Sequence, residues 1–113
     1  MIRRVRGLED ESLVAILLED LLTDLGCEVV GPAASIREAL RLADLGGIDF
    51  ALLDVNLGGE ARSFEVAERL RAAGTPFAFV TGYGRDGVRA DLRDAPVLTK
   101  PVDATALARA LGV

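Results

Sequence analysis

Hydrophobic positions along the chain switch between two spacings in regular alternation. Short apolar runs at Cys27–Val30, Ile48–Leu53, Phe77–Val80 and Val97–Leu98 read as strands. Residues 3–8 predict a further strand at the start, a poor one, because Arg3-Arg4-Val5-Arg6-Gly7-Leu8 carries three arginines and a glycine. The helical spacing of Val14, Leu17, Leu18, Leu21 and Leu25 predicts a helix over about 12–25, with Gly26 as its C′ residue. The second strand is broken by Gly31-Pro32. Ser35-Ile36-Arg37-Glu38 then forms a capping-box pattern, Ser35 as N-cap and Glu38 at N3, for a helix reaching Leu45 and ended by Gly46-Gly47. A third helix, about 61–73, turns Phe64, Ala67 and Leu70 inward before Gly74. After Phe77-Ala78-Phe79-Val80-Thr81 come three glycines in Gly82-Tyr83-Gly84-Arg85-Asp86-Gly87. The segment 86–94 could form a fourth helix, but Val88 and Leu92 are nearly its only long apolar anchors. Asp103 caps a last helix with Leu107, Ala108 and Leu111 inward.

Strand and helix thus alternate along the whole chain, which predicts an α/β fold with a doubly wound parallel sheet. Ile48-Asp49-Phe50-Ala51-Leu52-Leu53 suits a strand covered on both faces, and it ends abruptly on Asp54. Right-handed crossovers bring the carboxyl ends of all the strands to one edge, where such sheets place their ligands. That edge collects Glu9 and Asp10, Asp54, Thr81 and Lys100. A lone aspartate after a strand could simply turn the chain. Residues of matching chemistry from four separate strand ends argue for a site.

Composition narrows what the site can do. A chain of 113 residues predicts one domain over 1–113, able to bury roughly two-thirds of its unfolded surface. The net charge of −5 without a basic cluster argues against nucleic acid, and no apolar run is long enough to span a membrane. Together with the absence of a signal peptide this predicts a cytoplasmic protein. Cys27, the single cysteine, excludes an internal disulfide and reads as a small buried hydrophobe. With no histidine, His-based catalysis within the chain is impossible.

Carboxylates gathered at one edge repel unless a cation joins them. Oxygen ligands without imidazole or thiolate suit Mg²⁺. Asp10 and Asp54 could bind it directly, Glu9 through water, and the backbone carbonyl of Asn56 would complete the set. Such a metal neutralises a phosphoryl donor, while Lys100 offers a point charge and Thr81 a hydroxyl to phosphate. The arrangement suits an aspartate that becomes acyl-phosphorylated.

Glu9-Asp10, Asp54 within Leu-Leu-Asp-Val-Asn, Thr81-Gly82 and Lys100-Pro101 resemble the receiver domain of two-component response regulators over the whole chain. The resemblance implies a flavodoxin-like (βα)5 fold with strand order 2-1-3-4-5, the topology of the chemotaxis receiver. It implies Asp54 as phosphoacceptor, Glu9 and Asp10 as the acidic pocket, and Thr81, Gly82 and Lys100 as switch and phosphate-binding residues. Lys100–Pro101 would be a cis bond. A receiver is not an enzyme beyond Mg²⁺-dependent self-phosphorylation and slow autodephosphorylation at Asp54. Phe79-Val80-Thr81-Gly82-Tyr83-Gly84 is also similar to a subgroup nicknamed for its Phe-Ala-Thr-Gly string, with Val80 in place of alanine. That likeness implies a sensor histidine kinase of the HWE or HisKA2 class, or a phosphotransfer protein, as donor. With no output domain after the last helix, the expectation is a stand-alone receiver that signals to a downstream protein target or passes the phosphoryl group on.

Two departures from the family stand out. The position three residues before the lysine, usually Tyr or Phe, is Val97, so the usual aromatic switch is substituted. Arg6-Gly7 interrupts a first strand that the family keeps apolar. An Asp-nucleophile phosphatase of the haloacid-dehalogenase type would need a second acid where Asn56 stands. A flavin- or nucleotide-binding module would need a glycine fingerprint after strand one, which is missing. A pseudo-receiver acting only as an interaction module is the remaining alternative.

Overall fold

Phe50–Asp54 (β3) has every residue buried, and its alternation divides the molecule into two layers. Ala51 and Leu53 pack in one apolar cluster, Phe50 and Leu52 in the other. The computed structural model describes residues 4–8, 12–33, 36–55, 63–82 and 88–112. Around β3 stand Arg4–Leu8 (β1), Glu28–Ala33 (β2), Phe77–Thr81 (β4) and Val97–Thr99 (β5). All pairings are parallel and the order is β2-β1-β3-β4-β5, the doubly wound receiver topology that the resemblance implies. Ser12–Asp24 (α1) and Ala104–Leu111 (α4) cover one face; Ile36–Leu45 (α2) and Ser63–Ala72 (α3) cover the other.

Helix ends follow local chemistry. Asp103 accepts a hydrogen bond from the Ala106 amide at 2.8 Å, capping α4 as expected. Gly26 takes φ +84 after α1, where a side chain would be strained. Leu107 and Leu111 are buried, whereas Ala108 is only half-buried. In α1 the inward stripe is Leu18 and Leu22, flanked by Val14, Leu21 and Leu25. Leu17, expected inward, is 44% exposed, because position 17 lies a step outside the stripe that Leu22 continues. Cys27 is buried and its thiol pKa is raised by that burial, as suits an unreactive core residue.

Two boundaries differ from expectation. Gly31-Pro32 does not end β2, which continues to Ala33. Pairing steps from Arg6↔Val30 to Leu8↔Ala33, so one extra residue of β2 is taken up in a bulge. β2 is an edge strand, where a proline without an amide hydrogen is tolerated. Between β4 and β5, the described residues hold a 3-10 turn, Ala90–Leu92, in place of a fourth α-helix. Val88 and Leu92 are its buried anchors, each 2% exposed. Charge adds what apolar residues do not supply. Arg89 pairs with Glu68 and Asp91, and Arg71 pairs with Asp94 at 2.9 Å, tying the crossover to α3. The Ser35 cap lies outside the described residues.

β1 resolves its arginine by layer. Val5 is fully buried toward α1, while Arg6 faces α2 beside a cavity of about 10 Å³ lined by Ala39, Ala43, Ile48, Ala51 and Leu53. Burial lowers the Arg6 pKa, and attraction to Glu38 opposes that shift. Gly7 points the other way, into a cavity of about 40 Å³ beneath α1.

Candidate functional site

Strand parity brings the site together. Asp54 continues the face of Phe50 and Leu52, and Lys100 continues that of Leu98, so both side chains point into the α1–α4 layer. Asp54 is 3% exposed, and Lys100 Nζ stands 3.5 Å from its Oδ1. A carboxylate withdrawn this far from water needs compensating charge or donors, and the ammonium supplies part of it. Backbone pairing fixes the lysine: the Lys100 amide donates to the Thr81 carbonyl at 2.8 Å. The Lys100–Pro101 bond is cis.

Thr81 ends β4 opposite Thr99 and is fully buried. Gly82, next to it, is exposed, and a Cβ built there would meet nothing within 4 Å. Val97 lies opposite Phe79 and is half-buried. The aromatic bulk in that layer comes from Phe79 itself, packed edge to face against Phe64 at 5.6 Å and Phe77 at 5.5 Å. Glu9, Asp10 and Asn56 lie outside the described residues. Leu8 pairs with Leu53, one residue short of Asp54, and the chain continues from there into Glu9 and Asp10.

The structure adds Ser63, which sequence reasoning passed over. It opens α3, is fully buried, and its Oγ donates to the Val55 carbonyl at 3.3 Å. A serine near a helix start ordinarily signals only a cap, so no pattern in the sequence points to that carbonyl.

Asp54 offers a hard carboxylate oxygen of the kind Mg²⁺ prefers, at the strand ends beside Lys100. Among the described residues no group of three or more His, Cys, Asp or Glu stands ready to hold a metal, and no helix is long and apolar enough to cross a membrane.

Residues 7–112 match the response regulator receiver domain family. The transcriptional regulatory protein PdtaR of Mycobacterium tuberculosis is 32% identical over 97 residues. That match covers 82% of this chain and 45% of the relative, so the chain spans less than half the length of the curated relative. Among solved structures, SdrG of Sphingomonas melonis Fr1 superposes with a TM-score of 0.87 at 43% identity, covering 98% of this chain and 94% of that one. The BeF3-activated conformation of SdrG, from Pseudomonas melonis Fr1, gives 0.82 at 44% identity, with 96% and 92% covered.

Proposed function

Because the chain belongs to the response regulator receiver domain family, we propose that it is a phosphoacceptor unit over residues 1–113 that takes a phosphoryl group on Asp54. The observation that carries this is the buried Asp54 carboxylate 3.5 Å from Lys100 Nζ at the ends of adjoining strands. A sensor histidine kinase of the HWE or HisKA2 class, or a phosphotransfer protein, is the donor. An Asp54 oxygen forms the new P–O bond as the donor's P–N bond breaks. The electron pair stays with the imidazole nitrogen, which takes up a proton. Lys100 moves its charge from the free carboxylate to a phosphoryl oxygen, and Thr81 gives that group a hydrogen bond. Asp54, Asp10, Glu9 through water and the Asn56 carbonyl would hold Mg²⁺, which neutralises charge on the transferring group.

The donor has a surface to approach. Leu13, Ile16 and Leu17 of α1 are 78%, 56% and 44% exposed. Beside them runs a groove of about 320 Å³ lined by Val14, Leu17, Leu18, Lys100, Pro101 and Val102. A partner seated on it therefore touches the lysine that faces Asp54. The likeness to BeF3-activated SdrG supports a receiver that changes conformation when the acceptor is occupied. The signal leaves by contact with a downstream protein or by phosphorelay, in the cytoplasm.

Phosphoramidate or acetyl phosphate with Mg²⁺ should add one phosphoryl group by intact mass, and Asp54→Asn should add none. An Asp54→Asn chain modified at the wild-type rate refutes the assignment. A wild-type chain that stays unmodified favours the pseudo-receiver reading.

A further inference from the structure

The residue after the acceptor is gripped from two sides. Val55 is 5% exposed and donates its amide to the Val80 carbonyl at 3.1 Å. Its carbonyl lies past the last β3–β4 pair, Asp54↔Val80, and accepts instead from Ser63 Oγ at 3.3 Å. Ser63 has no exposed surface, so water cannot stand in for that hydroxyl. The contact ties the end of β3 to the start of α3 across eight positions of chain.

We propose that Ser63 is a positioning residue for phosphoryl acceptance: by holding the Val55 carbonyl, it fixes the peptide plane that follows Val55, one residue past Asp54. This rests on the phosphoacceptor reading. Tilting that plane redirects the chain as it leaves Val55 for Asn56, and through Val55 it shifts the end of β3 that sets Asp54 against Lys100. Without the hydroxyl, Val55 is bonded only through its amide to Val80, and the plane beyond it is free to rock. Reactions that depend on in-line approach lose rate steeply with small misplacements. An alanine at 63 would fit the space yet leave a buried carbonyl without its donor.

The test compares Ser63→Ala, Ser63→Thr and Leu111→Ala, the last removing a buried side chain from the final turn of α4. Two quantities are read well below each variant's Tm: the rate of Asp54 phosphorylation by phosphoramidate at saturating Mg²⁺, and the Mg²⁺ affinity of the unmodified protein. Ser63→Ala should slow phosphorylation roughly tenfold and weaken Mg²⁺ binding several-fold. Ser63→Thr, which keeps the hydroxyl, should recover most of both. Leu111→Ala should lower Tm at least as much and leave both quantities alone. Should the added methyl of threonine prevent folding, the alanine and Leu111 variants decide between them. A Ser63→Ala protein as fast and as tight as wild type overturns the proposal while the acceptor reading stands. A wild-type chain that takes no phosphoryl group overturns both.

Discussion

Gly7 stands in the interior of the sheet, between β2 and β3, without needing to be glycine. Its φ is not in the left-handed region, and a Cβ built on it would meet nothing within 4 Å. It faces the cavity of about 40 Å³ lined by Ala15, Leu18, Glu19, Leu22, Val29 and Leu52. Gly7→Ala therefore adds a methyl to empty, mostly apolar space and removes freedom from the unfolded chain. The entropic part contributes about 0.4–1 kcal/mol. Burying one methyl adds about 0.8 kcal/mol. Together they give roughly 1–2 kcal/mol of stabilisation, a rise in Tm of about 5–10 °C for a domain of this size. Urea unfolding followed by far-UV circular dichroism should show the midpoint higher by about 0.5–1 M at unchanged slope. Gly26→Ala is the control that separates space from conformation. Space is equally open there, but φ is +84, so that variant should lose about 1 kcal/mol. A lower midpoint for Gly7→Ala would show that β1 adopts a backbone only glycine tolerates, and the reasoning would fail.

Lys100→Ala should keep Mg²⁺ affinity within about twofold while slowing phosphorylation tenfold or more, since the lysine acts on phosphate; affinity lost along with the lysine contradicts that role. Glu38→Gln should destabilise by under about 1 kcal/mol by removing the attraction that opposes Arg6 desolvation, and in an Arg6→Leu background the same change should cost nothing. Arg89, through its hydrogen bonds and charge, holds the Asp91 carboxyl below its ordinary range, so their contribution is complete above a pH of about 4 and is lost as pH falls through the depressed value. Amide exchange at Val88–Leu92, corrected for intrinsic rate, should lose protection below that pH, and Asp91→Asn should flatten the dependence. With beryllofluoride and Mg²⁺, protection gained should be greatest around Thr81–Gly82 and fade toward Leu92; equal strong protection across residues 84–94 with and without the mimic would contradict this.

Much of the fold was legible because the apolar period reports burial directly. β3 and β4 are buried at every position; β4 could be bounded to the residue, while β3 begins at Phe50, two residues after the expected Ile48. Errors arose where a local rule met a tertiary circumstance. A Gly-Pro pair reads as a break, but β2 lies at the sheet edge and absorbs it in a bulge. Leu17 matched the helical period, yet the five positions 14, 17, 18, 21 and 25 span more of the helix than the sheet covers. Sparse anchors in 86–94 rightly argued against a regular helix. The ion pairs that compensate join residues about 20 positions apart, and no sequence pattern announces them.

The Asp54–Lys100 geometry was legible through parity, since a period of two places both on one face once the strand ends are known. Parity also shows what the substitution at 97 changes. Val97 lies on the opposite face from Lys100, against Phe79, which is fully buried between Phe64 and Phe77. That ring is locked in the core and cannot swing between exposed and buried positions. A displacement of Thr81 has a backbone route, by its carbonyl to the Lys100 amide or onward through Gly82. Beyond Gly82 the chain returns to the described structure at Val88, in a crossover fastened to α3 by Arg89–Glu68 and Arg71–Asp94. A shift entering there meets polar, exposed contacts that rearrange at little cost, whereas the route through β5 works against a buried aromatic cluster. On the proposed phosphoacceptor reading, the α3 face beside the crossover is the softer path by which occupancy of Asp54 would become visible at the surface.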